Sequence, residues 1–277
     1  MSVTPPKEIN NSLIKKMKYG DVGLALMVKQ ARTVDIAIAA QTCGFDAVYL
    51  DMQHNNMSAD TAAQISVTAL NTGITSLVRI PRNDYTLALR MLDAGALGII
   101  FPDITTPEEA QAAVNHCKFA PLGRRSTTAI WPHFGYQSIP VAEAQKALND
   151  NTLVIAMIET RTGLENVEAI AATKGLDIVH VGAGDLASDL GYPGQLHHPA
   201  VAEAMDRMAA ACRTHGKIFG IGGLSGGSDA DFEAIMRLGS KFITAANEWS
   251  LMISAGTDRV NYLRYSLKGA GTIGKTS

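Results

Sequence analysis

Val154-Ile155-Ala156-Met157-Ile158-Glu159, followed by Thr160-Arg161-Thr162-Gly163, is a short apolar run that stops on a carboxylate. A second run of the same kind comes soon after: Ile178-Val179-His180-Val181-Gly182-Ala183-Gly184-Asp185. Each has the length and β-branched content of a buried parallel strand. Each delivers one acid at its C-terminal end, just before a helical pattern begins. Two acids on neighbouring strand ends are what a hard divalent cation needs.

Outward from that pair the same unit recurs. Upstream, strands are expected at Gly23–Val28, at Ala47–Leu50 (ending on Asp51, with His54 three residues on), at Ser76–Ile80 and at Gly98–Pro102. Downstream they are expected at Lys217–Ile221, before Gly222-Gly223, and at Phe242–Ala245. Helical patterns fall at Ser12–Tyr19, Thr33–Ala40, Ala59–Asn71, Thr86–Ala94, Pro107–His116, Ala142–Asn149, Pro199–His215, Asp229–Leu238 and Glu248–Tyr265. Pro107 stands in a first turn, where proline is favoured. Strand and helix alternate about eight times, which predicts a parallel sheet closed as a (β/α)8 barrel. A doubly wound open sheet would carry a glycine fingerprint after its first strand, and Val28-Lys29-Gln30-Ala31 has none. The expectation is one barrel domain over 1–277, with a leader and short helix in 1–20 and a loose tail from Gly269 to Ser277.

One segment breaks the rhythm. From Phe119 to Val141 the chain is rich in Pro, Gly and aromatics, and so long an unpatterned stretch is usually a functional loop or lid. Its part Ala129–Tyr136 either lines an apolar pocket or packs between subunits.

Composition excludes several classes. A net charge of -2 gives no electrostatic footprint for nucleic acid or anionic membrane. No apolar run reaches the length of a membrane span, and the polar, lysine-containing first 20 residues lack a signal peptide's apolar region. The 3 cysteines show no metal-ligand spacing and read as reduced, buried thiols of a cytoplasmic protein.

In a barrel, polar groups at the C-terminal strand ends face the active site. Here they are Asp51, His54, Arg79, Glu159 and Asp185. Glu159 and Asp185 are the candidate ligands of Mg2+, Mn2+ or a similar oxygen-seeking ion, although Asp185 also reads as a helix N-cap before Leu186. Arg79 ends an apolar strand, and its fork suits a carboxylate or carbonyl oxygen; the alternative is that it simply pairs with Asp51 or Glu159. His54 is the candidate general base, oriented by Asp51 or Asp93. His180 lies within a strand and reads as packed. Gly222-Gly223, Gly226-Gly227 and Ala245-Ala246-Asn247 stand where barrels often bind phosphate, or only make turns.

From Gly23 to Ser250 the chain resembles the class II pyruvate aldolases, the 4-hydroxy-2-oxoheptane-1,7-dioate aldolase family, within the wider barrel group that includes citrate-lyase-type enzymes. Gly44-Phe45-Asp46 through Asp51-Met52-Gln53-His54 carries the resemblance, as do Val78-Arg79-Ile80-Pro81 and Leu92-Asp93-Ala94-Gly95-Ala96. So do Pro121-Leu122-Gly123-Arg124-Arg125-Ser126, Ile158-Glu159-Thr160-Arg161-Thr162-Gly163-Leu164 and Val181-Gly182-Ala183-Gly184-Asp185-Leu186. Gly191-Tyr192-Pro193 and His198-Pro199 match too.

The resemblance implies an aldolase that releases pyruvate and an aldehyde from a 4-hydroxy-2-oxo acid through a metal-stabilised enolate. It implies Glu159 and Asp185 as ligands of Mg2+, Mn2+ or Co2+. Arg79 would contact the ketone oxygen, and His54 would act as base with Asp51 and, across a subunit interface, Asp93. Backbone amides of Gly182, Ala183 and Gly184 would hold the pyruvate carboxylate. A homo-oligomer, hexamer or trimer, with an exchanged last helix is also implied. Three positions depart from the pattern: Gln53 stands for the usual Glu, Met157 for a Gln, and Gly182-Ala183-Gly184-Asp185 for Gly-Pro-Ala-Asp. Gln53 and Met157 are expected beside the substrate. The alternatives are a lyase of citryl or malyl CoA thioesters, with Arg124-Arg125 in a basic groove, and a barrel that only binds ligands.

Overall fold

The computed structural model describes residues 8–223 and 228–273, with side chains through 268. Its strands are β1 (Gly23–Val28), β2 (Ala47–Asp51), β3 (Thr75–Arg79), β4 (Gly98–Phe101), β5 (Leu153–Ile158), β6 (Ile178–Gly182), β7 (Ile218–Gly222) and β8 (Phe242–Asn247). They pair in sequence order, all parallel, and β8 returns to pair with β1, so the sheet closes as a barrel. Among the described residues the helices are α1 (Ser12–Lys18), α2 (Asp35–Thr42), α3 (Ala59–Thr72), α4 (Tyr85–Asp93), α5 (Pro107–Cys117), α6 (Val141–Asn151), α7 (Arg161–Glu165), α8 (Val167–Ala171), α9 (Ala183–Asp189), α10 (Pro199–Thr214), α11 (Asp229–Arg237) and α12 (Glu248–Ile273). The expected (β/α)8 barrel is the observed fold.

Local chemistry explains the boundaries. Ser58 caps α3, accepting the N–H of Thr61, and Gly73 ends it in the left-handed conformation (φ 86°). Thr106 and Glu109 form a reciprocal capping box on α5 with Pro107 in the first turn. Asp84 caps α4, its side chain accepting the Leu87 N–H.

Side chains two apart on a strand share a face. On β5, Leu153, Ile155 and Met157 point into the barrel, while Val154, Ala156 and Ile158 pack outward against the helices. The inward series starts apolar at the N-terminal end. There α1 closes the barrel floor with Leu13 and Met17. Gly23 makes room, since a Cβ on it would lie 2.1 Å from Leu13 Cδ1. The fully buried Asn11 ties this plug down: its amide donates to the Asn151 carbonyl (2.8 Å), and its oxygen accepts from the Ile14 N–H (3.0 Å). At the other end the inward series turns polar: Asp51 follows Tyr49, Arg79 follows Leu77, Glu159 follows Met157, and Lys29 follows Met27.

Several expectations need revision. The segment Phe119–Val141 is no lid over the barrel mouth. Phe119, Trp131 and Phe134 are buried against Ala144 and Leu148 of α6, around a short 3-10 turn at Pro132–Phe134. Three helices that lacked assigned bounds, α7, α8 and α9, follow β5 and β6. The expected tail from Gly269 is helical through Ile273. Cys117 and Cys212 are buried as expected, whereas Cys43 is exposed. Gly226-Gly227 and residues 1–7 of the expected leader lie outside the described residues.

Candidate active site

The register places the last residues of β2 and β3, Asp51 and Arg79, side by side. Arg79 clasps Asp51 with both prongs of its fork, Nε to Oδ1 at 3.0 Å and Nη2 to Oδ2 at 2.8 Å. Asp51 is fully buried and also accepts the backbone N–H groups of Gln53 (3.1 Å) and His54 (3.3 Å). Burial alone would raise its pKa, but the guanidinium and these amides win and hold the carboxyl below its ordinary value. The Arg79 pairing read as one alternative from the sequence is therefore present. The third nitrogen, Nη1, stays off Asp51 and lies 3.8 Å from Met157 Sδ.

Above this pair opens a cavity of about 260 Å³ at the C-terminal mouth. Arg79, His54, Met157, Glu159, Gly182, Ala183, Gly184 and Asp185 all line it. So do Lys29, Tyr49, His180 and Thr244, none of which sequence reasoning had placed in a site, and Asn247, which the sequence put in a possible phosphate-binding region. Gly222, Gly223 and Ala246 line it as well, so part of the glycine-rich region does face the mouth. Asp51 and Gln53 do not line the cavity. The Gln53 side-chain oxygen is buried without a hydrogen-bond partner. Asp93 is elsewhere in this chain, as the last residue of α4, with Oδ1 accepting from Arg125 Nη2 at 2.8 Å.

Glu159 and Asp185 line the same cavity. Glu159 Oε1 accepts the Asp103 backbone N–H at 2.8 Å. Asp103 holds φ 53°, a left-handed backbone uncommon for a residue with a side chain, and its carboxylate is fixed by Arg82 at 2.6 Å. Burial pushes the Glu159 carboxyl up to about 7, against the Asp103 amide and Arg79, and the negative charge of Asp185 adds to the push. Gly182 is needed here: a Cβ on it would sit 2.4 Å from Glu159 Oε2. Gly182 is also the N-cap residue of α9, and Asp185 is the third residue of that helix. The N-cap reading of Asp185 therefore fails, and its side chain is available to the cavity.

His180 sits on the barrel side of β6. Burial, helped by the charge of Arg79, lowers its pKa to about 3, so it is neutral. Ideal Cβ atoms on Gly220 and Gly222 would each come within 2.8 Å of its ring nitrogens. Two glycines on β7 therefore make the space the imidazole fills. Thr244 Oγ1 lies 3.5 Å from Nε2, and Nδ1 has no partner. The strand-end Lys29 and Asp103 carried the same positional signal as Asp51 and could have been read; Tyr49 and His180 could not, because they lie inside strands.

The donor set offers a cation two carboxylates on one open cavity wall. Among the described residues no group of three or more His, Cys, Asp or Glu comes together. Two carboxylates suit an ion that keeps waters and takes the remaining oxygens from a ligand, as Mg2+ does.

A (β/α)8 barrel whose C-terminal mouth is lined by two acids, a guanidinium and an imidazole carries its polar groups where barrel enzymes place their active sites. The model of the HpcH/HpaI aldolase/citrate lyase family matches residues 25–255. The chain belongs to that family. A 4-hydroxy-4-methyl-2-oxoglutarate aldolase from Chaetomium globosum is 34% identical over 250 residues, 90% of this chain and 93% of the relative. A 5-keto-4-deoxy-D-glucarate aldolase from Klebsiella pneumoniae is 32% identical, covering 76% of this chain and 81% of the relative. The crystal structure of an HpcH/HpaI aldolase from Desulfitobacterium hafniense superposes with a TM-score of 0.82 at 26% identity, covering 96% of this chain and 97% of that one.

Proposed function

We propose that this chain is a divalent-metal-dependent carbon–carbon lyase that cleaves or forms a 4-hydroxy-2-oxo acid, giving pyruvate or a related 2-oxo acid and an aldehyde or ketone. The carrying observation is a single small cavity lined by Glu159 and Asp185 together with Arg79 and His54. The names of the relatives, aldolases of 2-oxo acids, support the same reading.

The family is generally divalent-metal-dependent, and Glu159 and Asp185 would hold the ion, Mg2+, Mn2+ or Co2+. Such an ion, when bound, supplies Lewis acidity to the 2-oxo acid. The N–H groups at the start of α9, from Ala183 to Asp185, have no partner within their own helix and offer donors to the substrate carboxylate. Arg79, with Nη1 turned away from Asp51, donates to the C2 oxygen. His54 accepts the proton of the 4-hydroxyl. As it does so, the C3–C4 bond breaks, C4 becomes a carbonyl carbon, and the electron pair moves onto the C2 oxygen facing Arg79. A proton returned to C3 completes pyruvate. Preformed donors aimed at developing charge are the largest single contribution in sites of this kind.

Assembly belongs to the same reading. Along α12, Leu251, Met252, Ile253, Tyr262, Leu263, Tyr265 and Leu267 are all exposed. A homo-oligomer, hexamer or trimer, would cover this helix, and a role for Asp93 across a subunit interface is part of the same proposal. No helix among the described residues is long and apolar enough to cross a membrane, and a cytoplasmic location is part of the proposal. The CoA-thioester alternative loses one of its two arginines, because Arg125 is buried over the Phe119 ring and paired with Asp93, while Arg124 stays exposed.

The test is pyruvate release from 4-hydroxy-4-methyl-2-oxoglutarate and from other 4-hydroxy-2-oxo acids. Release should require Mg2+ or Mn2+, stop with EDTA, and fall by at least about a hundredfold in Arg79→Ala. Release that survives both treatments sinks the mechanism.

A further inference from the structure

The reaction above leaves one proton without a named donor, the one that C3 takes up after the C3–C4 bond breaks. Tyr49 is the buried group of the cavity placed to supply it. It stands one inward position below Asp51 on β2, so its ring lies deeper in the barrel than the Arg79–Asp51 clasp. The Arg79 guanidinium lies over that ring, with Cζ 5.5 Å from its centroid. The side chain is fully buried and lines the cavity, yet its hydroxyl has no hydrogen-bond partner among the described residues. Burying a hydroxyl without a partner costs stability, so such a group in a native barrel calls for a reason. Packing does not supply one, because a phenylalanine would fill nearly the same space without the penalty.

The surroundings keep this phenol protonated. Burial raises its pKa above the ordinary value, and the charges of Asp51 and Glu159 add to the rise, against Arg79. The far side of the floor is polar too. In a closed ring of eight strands β6 stands opposite β2. From β6 the neutral His180 lines the same cavity, with Nδ1 lacking a partner among the described residues. Two unpaired polar groups at the bottom of one cavity suit solvent entering from the mouth. Arg79 decides where the carbons of a ligand would lie. A C2 oxygen held by Nη1 would set the adjacent C3 over the floor made by Tyr49 and Met157, whose Sδ is 3.8 Å from that same nitrogen. His54 is engaged at the C4 oxygen. The register Met27 to Tyr49 puts Lys29, the other proton-bearing group, a layer higher, level with Asp51.

We infer that Tyr49 is a catalytic residue that delivers the proton to C3 of the enolate. The inference deepens the aldolase reading and rests on its orientation of the 2-oxo acid. The electron pair on the C2 oxygen re-forms the C2 carbonyl, the electrons of the C2–C3 double bond take the phenolic proton, and Tyr49 is left as a phenolate beside Arg79. Solvent then reprotonates the phenolate, while the proton that His54 took from the 4-hydroxyl leaves to solvent, so the protons balance. The group that gives C3 its proton also removes it in the reverse direction, so hydrogen exchange of pyruvate itself is the test. Proton NMR in D2O with Mg2+ follows loss of the pyruvate methyl signal on the full-length protein. The wild-type protein should exchange these protons, and Tyr49→Phe should slow the exchange at least about tenfold. The calorimetric affinity for oxalate should stay within about twofold, and the metal-free melting point should be unchanged or higher, since no hydrogen bond is lost. Exchange that Tyr49→Phe leaves intact, or that falls only together with oxalate affinity and melting point, overturns the proposal. So does a wild-type protein that releases pyruvate from a 4-hydroxy-2-oxo acid but exchanges no methyl protons. Failure of the aldolase reading shows separately, as exchange that depends on Tyr49 with no pyruvate released from any such acid.

Discussion

A methyl group on Gly182 would sit 2.4 Å from Glu159 Oε2, closer than real side-chain carbons approach. In Gly182→Ala the Glu159 carboxylate must swing aside. Mn2+ plus oxalate should raise the melting point of the wild-type protein, and in the variant that upshift should largely vanish while the ligand-free melting point moves little; a melting scan with and without ligand reads both. Asp51 makes the opposite kind of prediction, because it is structural first. Removing it in Asp51→Ala strands a buried guanidinium, and urea unfolding should show a loss of about 3–5 kcal/mol. The double variant Asp51→Ala/Arg79→Met should recover much of that, since no charge is left buried alone. Strand-end acids were readable as single residues because loops begin where apolar runs stop. The Arg79–Asp51 clasp was readable only as one of two options, since it depends on the register between β2 and β3. His180 was legible as buried, but its role as cavity wall depends on two glycines of β7 that only the fold brings beside it.

Among the elements, α1 and α12 answer to different needs. The first plugs the barrel floor, with Leu13 fully buried. Leu13→Ala should cost about 2–5 kcal/mol of stability in urea unfolding, and the metal-dependent melting shift of the folded fraction should stay. The last helix, 26 residues long, carries apolar side chains that this chain alone leaves in water, and such a surface marks an interface. Light scattering should give a mass several times that of one chain. Leu263→Glu combined with Leu267→Glu should shift the protein toward smaller species. Strand and helix order followed from hydrophobic runs, so most element positions were evident from residue order. The segment after α5 misled, because an aromatic, aperiodic stretch reads as a lid whether it covers a mouth or, like Trp131 and Phe134, tucks under a helix on the outside.

Over the whole molecule, stability should depend on pH through two histidines kept neutral by burial. The pKa of His133 is lowered to about 4 and that of His180 to about 3. In the unfolded chain both titrate near about 6.5. Below that value the unfolded chain takes up protons that the native barrel refuses, so stability is full above it and falls as pH drops toward about 4. Urea midpoints measured from pH 7 to pH 4 should decline, and His133→Leu combined with His180→Leu should flatten the decline. Glu159, raised to about 7, opposes this trend in the metal-free protein, because protonating it on acidification favours the native state. At the seam between β1 and the last helix, one carboxylate, that of Glu248, grips three successive amides of the turn that carries Lys29. A displacement of the last helix would therefore tug the rim of the cavity, and by reciprocity an occupant of the rim would bias where that helix sits.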